Sequence, residues 1–309
     1  MKKKMTTVLL IMAFVLSIAG TAPAAAANGD DMTAINKLEI IEQTLYGTIQ
    51  TGALVERVGK LETDVYGAAV KDALLPRVDR IYAYVRLTTE GNPSMLTKTN
   101  AVEWVMTRAV TNTPVRDRIE NLERLFTGVP GTGGLDGRLT KLLKMAYSDG
   151  NFEVVSTLVA KDTLIKIKTL APLSSKQSRV GDLVPLEAAD DVMIGGVLII
   201  PKGAKGLAKV QKVVPSGNFG RDARLDIKFD TVEAADGKPI AIFLGDKAKE
   251  ETKSMAAAAG ASVAGMFLLG PVGIIGGAFV NGNEVNIAAG TQMYLQTQND
   301  SEVFGIRVK

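Results

Sequence analysis

The chain contains no cysteine, and this absence removes several classes of protein. Without cysteine there is no disulfide framework, no thiolate metal site and no lipid-modified cysteine after an export signal, so a lipoprotein is excluded. Histidine is absent too, which removes the commonest general base, the Ser-His-Asp triad and the usual zinc ligand. No spacing of acids matches a known hydrolytic site. We therefore predict that the protein is not an enzyme and has no catalytic, cofactor-binding or metal-binding residues.

The chain also has little net charge, since its 309 residues include 36 basic and 33 acidic side chains. Lysines 2–4 precede an apolar run over 8–19 and small residues over 24–27, a pattern typical of a secretory signal peptide over 1–27. The apolar run is shorter than the roughly 20 residues of a membrane-crossing helix. We expect an exported, neutral mature chain in the periplasm, outer membrane or cell surface of a bacterium. Its surface would lack the basic field that binds nucleic acid.

An internal repeat with an offset of 20 residues begins at Ile41. Further matches in the same frame reach Leu139, and the unit near Ile81 is degenerate and one residue longer. The matched pairs are Ile41-Glu42 with Leu61-Glu62, Tyr46-Gly47 with Tyr66-Gly67, Ala53-Leu54 with Ala73-Leu74, and Arg57-Val58 with Arg77-Val78, followed by Val102-Glu103, Arg118-Ile119, Leu122-Glu123, Gly134-Leu135 and Arg138-Leu139. Such periodicity indicates an array of similar structural units over 28–148.

Each unit reads as a short amphipathic helix followed by a loop. Apolar residues recur at i, i+4, i+7 and i+11, and Gly47, Gly67 and Gly128 stand where a left-handed residue closes a helix. A helix this short is marginal alone, so the units must pack against each other or against another subunit. A plain bundle and a partner-binding surface are both compatible with the pattern. The predicted packing residues are Leu54, Val58, Leu61, Val65, Leu74, Val78, Leu135, Leu139 and Leu142.

Beyond residue 149 the pattern changes to alternation with period two. Apolar residues over 223–229 alternate with charged ones, which is typical of a strand with one buried face. Shorter runs of this kind are separated by turn sequences such as Pro201-Lys202-Gly203, and the segment from Ile200 is echoed by Ile287-Ala288-Ala289-Gly290. The fold class predicted for the chain is α+β, with helical repeats followed over 149–309 by a small antiparallel β-sandwich or barrel.

A glycine-rich insert over 255–280 interrupts the strand region, and no charged residue lies between Lys253 and Glu284. Because proline disfavours helical geometry in the residue before it, the insert divides into 255–269 and 272–280, neither long enough to span a bilayer. A hairpin dipping into a membrane, several copies combining in an oligomer, one kinked crossing helix and a hairpin buried on the strand domain all fit the sequence. The candidate membrane or helix-packing residues are Gly260, Gly265, Gly270, Pro271, Gly273 and Gly277.

Residues 181–242 resemble the C-terminal β-domain of TrbI-like proteins, the outer-membrane-complex subunits of conjugation and type IV secretion systems. The likeness rests on Asp191-Val192, Ile200-Pro201-Lys202-Gly203-Ala204, Gly220-Arg221, the strand over 224–229 and Asp236-Gly237. In that family a helical hairpin between strands enters the outer membrane, and the insert over 255–280 is similarly placed. This chain departs from the family in two ways. The glycine after the Ile-Pro turn, Gly206, falls one residue earlier than in the family. A signal sequence and repeats stand in place of the family's inner-membrane helix and proline-rich linker. The repeats themselves resemble those of uncharacterised exported bacterial proteins.

The sequence therefore predicts a cell-envelope scaffold whose repeats provide assembly or spacing and whose β-domain docks at the outer membrane. The expected partners are another envelope protein or further copies of the chain, with no small-molecule cofactor and no nucleic acid. A soluble secreted or periplasmic binding module with a buried hairpin is the second hypothesis. A carboxylate-based hydrolase of wall polymers is the third.

Overall fold

The computed structural model describes residues 32–216, 222–258, 277–282 and 285–308. Six helices come first: α1 Ala34–Tyr46, α2 Leu54–Tyr66, α3 Leu74–Arg86, α4 Met95–Thr107, α5 Val115–Thr127 and α6 Leu135–Ala146. The strands follow: β1 Val154–Val159, β2 Leu164–Thr169, β3 Leu173–Ser174, β4 Leu183–Ala188, β5 Val192–Ile194, β6 Val197–Ile200, β7 Lys205–Val214, β8 Ala223–Glu233, β9 Pro239–Phe243, β10 Gly277–Gly282, β11 Asn286–Ile287, β12 Gln292–Thr297 and β13 Ser301–Arg307. A seventh helix, α7 Asp246–Ala258, lies between β9 and β10. The predicted α+β class is confirmed.

The helix ends follow from glycine. Gly47, Gly67 and Gly128 close α1, α2 and α5 at φ of 74°, 90° and 81°, the left-handed region that glycine enters without steric cost. Each donates its backbone N–H to the carbonyl four residues earlier. At the end of α4 this position is Arg108, which adopts φ of 58° without being glycine. The predicted glycine caps are confirmed, and Arg108 is the exception.

The six helices bury their apolar stripes against one another within one chain. Helix α1 packs on α3 and α5, α2 packs on α3 and α6, and α4 packs on α5 and α6. Fully buried side chains such as Leu38, Ile41, Leu61, Ile81 and Ile119 fill the space between them. The repeats therefore form a small helical array rather than an extended rod of separate units.

The strands build a closed barrel beside a second sheet. Strands β8, β7, β4, β2, β12 and β9 pair antiparallel in that order, and β8 pairs again with β9 to close the circle. The second sheet has the order β1-β13-β6-β5, and β3 pairs with β11. Closure leaves these six strands without an unpaired edge that could recruit another chain.

Strand β8 confirms the predicted alternation at Ala223, Leu225, Ile227 and Phe229, which are all buried. One residue of the face expected to be exposed to solvent is buried instead. Asp226 is also buried, and its carboxylate accepts hydrogen bonds from Arg224 Nε at 2.6 Å and Nη2 at 3.0 Å. A partner two residues away on the same strand face therefore compensates this buried charge.

The predicted hairpin over 255–280 differs from the structure at its C-terminal end. Residues 277–280 belong to strand β10 rather than to a helix, because they pair with β8 from Gly277 opposite Lys228 to Gly282 opposite Ala223. The first residues of the segment, up to Ala258, complete helix α7. The intervening residues, like the predicted signal peptide over 1–27, lie outside the described part of the chain. Among the described helices, none has the length and apolar composition that crossing a membrane requires.

Candidate functional site

A buried ion pair joins consecutive helices at four of the five steps of the array. The acid is the ninth residue of one helix and the base is the fourth residue of the next, 15 residues later. At the α2–α3 step, Arg77 Nε lies 3.0 Å from Glu62 Oε1 and Nη2 lies 2.7 Å from Oε2. The four interhelical ion pairs are Glu42 with Arg57, Glu62 with Arg77, Glu103 with Arg118, and Glu123 with Arg138.

Each of these glutamates also fixes the loop between its two helices. The backbone N–H eight residues after the acid donates to the carboxylate, at distances of 2.7 to 3.1 Å. The donors are Gln50, Val70, Thr111 and Gly131. One carboxylate therefore satisfies both the loop and the next helix, which explains why this glutamate recurs with the repeat. The glycine-rich stretch from Gly131 is one of these interhelical loops.

The electrostatics follow from burial and pairing together. Burial alone would raise the pKa of Glu62 and Glu123, but hydrogen bonds from Arg77 or Arg138 and from the loop N–H outweigh it and hold the pKa of both carboxyls below the ordinary value. Arg118 is more completely buried, and this burial lowers the pKa of its guanidinium although the neighbouring Glu103 carboxylate acts to raise it. Arg118 Nη2 also donates to Asn100 Oδ1 at 2.6 Å, so this charge has a second partner.

The fifth step, from α3 to α4, lacks this ion pair. The ninth residue of α3 is Tyr82, and the fourth residue of α4 is Lys98. The connecting loop is one residue longer than the other four, as the degenerate repeat unit indicated. The Lys98 ammonium instead lies 5.1 Å from the centroid of the Tyr84 ring. A cleft of about 620 Å³ opens at this step.

Helix α4 joins the helical array to the barrel domain. Trp104 Nε1 donates to Asp191 Oδ2 at 2.9 Å, and Asn100 Nδ2 donates to the carbonyl of Ala235 at 2.8 Å. Ala101 and Trp104 belong to the same hydrophobic cluster as the barrel core. Asp191 also accepts from the backbone N–H of Lys202 at 2.6 Å, so it ties a strand turn to the helix.

A second contact of the same junction involves the loop after α4. The N–H of Val110 donates to the carbonyl of Lys202 at 2.8 Å, and Gly203 lies directly against it at φ of 87°. A Cβ atom on Gly203 would lie 1.9 Å from the Val110 carbonyl oxygen, so only glycine fits. Together these contacts pack one helix of the array against the barrel domain.

Sequence reasoning missed both the ion pairs and this junction. The glutamates and arginines were noticed as repeated residues but not as partners, although their constant separation of 15 could have suggested it. At α4 the useful feature is the loss of amphipathicity, since residues 95–97 and 99–104 are all buried. A helix that is buried on most of its faces must have packing partners on more than one side.

Most of the predicted repeat-packing residues are buried in the array. Val58, Leu61 and Val65 are fully enclosed, and Leu74 is half-buried. Leu54 differs from the expectation, since it is 37% exposed at the first position of α2. The remaining predicted positions, Val78, Leu135, Leu139 and Leu142, are all buried.

The glycine-rich candidates have a different status. Gly277 is the first residue of β10, whereas Gly260, Gly265, Gly270, Pro271 and Gly273 lie outside the described residues. The described chain does define both ends of the segment. Helix α7, which ends at Ala258, packs on β12, and β10 pairs with β8 from Gly277 onwards. Within the described ranges there is no group of three or more acidic side chains that could hold a metal ion.

The fold and these contacts define an α+β protein in which a six-helix repeat array packs on a domain with a closed six-stranded barrel. No protein family model matches the chain, and no curated protein matches it. Among solved structures, it is similar to ComB10 of the Com type IV secretion system of Helicobacter pylori, at 16% identity over 46% of this chain and 88% of that one, with a TM-score of 0.25. At that TM-score the likeness carries no conclusion about this chain.

The interhelical ion pairs predict a large difference between buried and exposed arginines of the same helix. Replacing Arg118 with methionine leaves Glu103 buried without its partner, so we expect a loss of about 3–5 kcal/mol in the free energy of unfolding. Arg116→Met removes an exposed pair with Glu120 and is the matched control, with an expected loss below about 1 kcal/mol. Urea titrations followed by circular dichroism measure both, and equal losses would contradict the assignment.

The lowered pKa values of Glu62 and Glu123 predict a loss of stability in acid. Because the folded state holds both carboxyls ionised below their ordinary pKa near 4.5, their contribution is present above that value and disappears as pH falls through the folded-state pKa. We expect the stability difference between wild type and the double variant Glu62→Gln, Glu123→Gln to shrink between about pH 6 and pH 3. Urea titrations across this range test it, and a constant difference would refute it.

The two echoed turns provide a matched test of the junction. Gly203 and Gly290 adopt φ of 87° and 85°, but only Gly203 has the array against it. Gly290→Ala should lower the free energy of unfolding by about 1–2 kcal/mol, because only the left-handed backbone conformation is unfavourable for alanine there. Gly203→Ala should cost about 1–3 kcal/mol more, because the added Cβ also clashes with Val110. Thermal unfolding of both variants measures the difference. Equal destabilisation would show that the array does not depend on this contact.

Proposed function

We propose that the chain is a non-enzymatic scaffold of the bacterial cell envelope. In this proposal the helical array serves assembly or spacing, and the barrel domain docks at the outer membrane through the uncharged residues of the 255–280 segment. The observation that carries the proposal is the placement of residues 259–276 between two elements packed on the barrel domain.

The segment's composition supports membrane contact. It contains no charged residue, while large apolar side chains such as Phe267 and Leu268 are frequent in it. Because α7 and β10 belong to the same domain, a segment inserted into a bilayer would have to enter and return on one side. A short apolar hairpin held in this way can dip into the membrane interface without spanning it.

Export and partner binding are the other parts of the proposal. The basic residues 2–4, the apolar run after them and the small residues at 24–27 support export. The junction through α4 supports a spacing role, since buried hydrogen bonds and apolar contacts join the array to the barrel domain. Partners are then a second envelope protein or another copy of the chain.

One observation favours the second candidate, a soluble binding module with the segment buried. Helix α7 already packs on β12 with Ala248 and Ala256 fully buried, and the backbone N–H of Tyr294 donates to Thr252 Oγ1 at 2.9 Å. If the residues after Ala258 continue to cover the domain in the same way, the apolar surface is satisfied within the protein.

Fractionation of producing cells separates the two candidates. We expect wild type to remain with the outer membrane after carbonate extraction and to be released by detergent. The variant Phe267→Asp, Leu268→Asp introduces two charges into the segment and should become soluble while remaining folded, because charge at membrane depth is costly.

The matched control is Leu125→Asp, Phe126→Asp, which adds the same two charges on exposed residues at the end of α5. It should fractionate as wild type does. Wild-type protein that is soluble without detergent would overturn docking at the membrane and favour the binding module. Membrane retention of both variants would show that the contact lies elsewhere on the protein.

A further inference from the structure

The step from α3 to α4 keeps the cation of the repeat but lacks its anion. At the other four steps the fourth residue of the later helix is an arginine paired with a glutamate. Here that fourth residue is Lys98, and Tyr82 stands in the glutamate position. Within the described part of the chain, no carboxylate oxygen lies within 4.0 Å of Lys98 Nζ.

The surroundings of Lys98 leave its charge available. The side chain is half-buried beside the Tyr84 ring. The nearby carboxylate of Asp136 accepts a hydrogen bond from the Tyr84 hydroxyl rather than from Lys98. Gly91 lies four residues before α4, the same distance at which the other loops donate an N–H to their glutamate. The N–H of Gly91 has no acceptor among the described residues. Lys98 and Gly91 both line one cleft, and neither donates to a carboxylate of the described residues.

The cleft beside Lys98 has the size of a small-ligand site. Its volume is about 620 Å³, and pockets for small ligands commonly measure roughly 300–1,000 Å³. The α3–α4 loop and the connection from α6 to β1 form its walls. Side chains lining it include Tyr84, Asn92, Lys98, Asn151 and Phe152, with Ala83 on α3.

We propose that this cleft binds the free carboxylate of a short peptide, with Lys98 and the Gly91 N–H taking the roles that arginine and the loop N–H have at the other steps. The ammonium supplies a charge-assisted hydrogen bond to the carboxylate. The amides of Asn92 and Asn151 can each donate to and accept from peptide groups. Tyr84 and Phe152 offer aromatic surface to apolar side chains. This site does not depend on the proposed contact with a membrane.

Calorimetric titration of the purified protein with N-acetyl-Ala-Ala-Ala, as the free acid and as the C-terminal amide, tests the proposal. We expect the free acid to bind at least about tenfold more tightly than the amide, because a hydrogen bond to a charged group is lost in the amide. Equal affinities, or no binding of the free acid at millimolar concentration, would overturn it.

Variants of Lys98 test the cation. Lys98→Gln should weaken binding of the free acid by about tenfold or more, to the level of the amide, whereas Lys98→Arg should retain it. Lys71→Gln removes the same charge from an exposed loop and is the matched control, with no expected change. Because no carboxylate of the described residues pairs with Lys98, its replacement should leave the melting temperature close to that of wild type.

Variants of Ala83 test the position of the ligand. Ala83 is exposed and lines the cleft, so Ala83→Glu introduces a carboxylate belonging to the chain itself. It should compete with the peptide for Lys98 and abolish the preference for the free acid. Ala83→Gln has nearly the same shape without the charge and should preserve that preference. If the two variants bind the free acid equally well, the carboxylate does not bind at Lys98 and the proposal is wrong.

Discussion

A glutamate shared between an arginine and a loop amide determines how consecutive helices of the array meet. Each of these carboxylates, from Glu42 to Glu123, is enclosed and accepts from both groups. Two charges removed from water in this way are stable only if both partners remain in place, so helix spacing and loop conformation are fixed together. The apolar stripes supply the bulk of the packing, whereas the ion pairs make four of the five steps alike.

The contrast between the four paired steps and the α3–α4 step gives the array its asymmetry. Helix α4 makes contacts that the other helices of the repeat do not share. Asn100 and Trp104 contact the barrel domain, and Lys98 borders the cleft. The helix that departs from the repeat therefore also joins the array to the barrel domain, together with Arg86 of α3, whose Nη2 donates to the Gly237 carbonyl at 3.0 Å. Variation within a repeat marks this connection more clearly than the repeated residues do.

The sequence predicted those features that arise within a single element. The 20-residue offset, the helical stripes, the glycine caps and the alternation in β8 all depend on residues close together in the chain. The junction could not be predicted in this way, since Trp104 and Asp191 are 87 residues apart and Asn100 and Ala235 are 135 apart. The strand β10 was missed because Gly277 to Val280 continue a glycine-rich apolar run, and only pairing with β8 makes them extended.

The longer loop and the Tyr82 substitution also divide the interhelical ion pairs into two sets. Two of the pairs lie within α1 to α3 and the other two lie within α4 to α6, and none of the four joins α3 to α4. Across this division the helices meet by packing of α1 on α5, α2 on α6 and α3 on α4. The array is therefore built as two three-helix units, each with two ion pairs at matching positions.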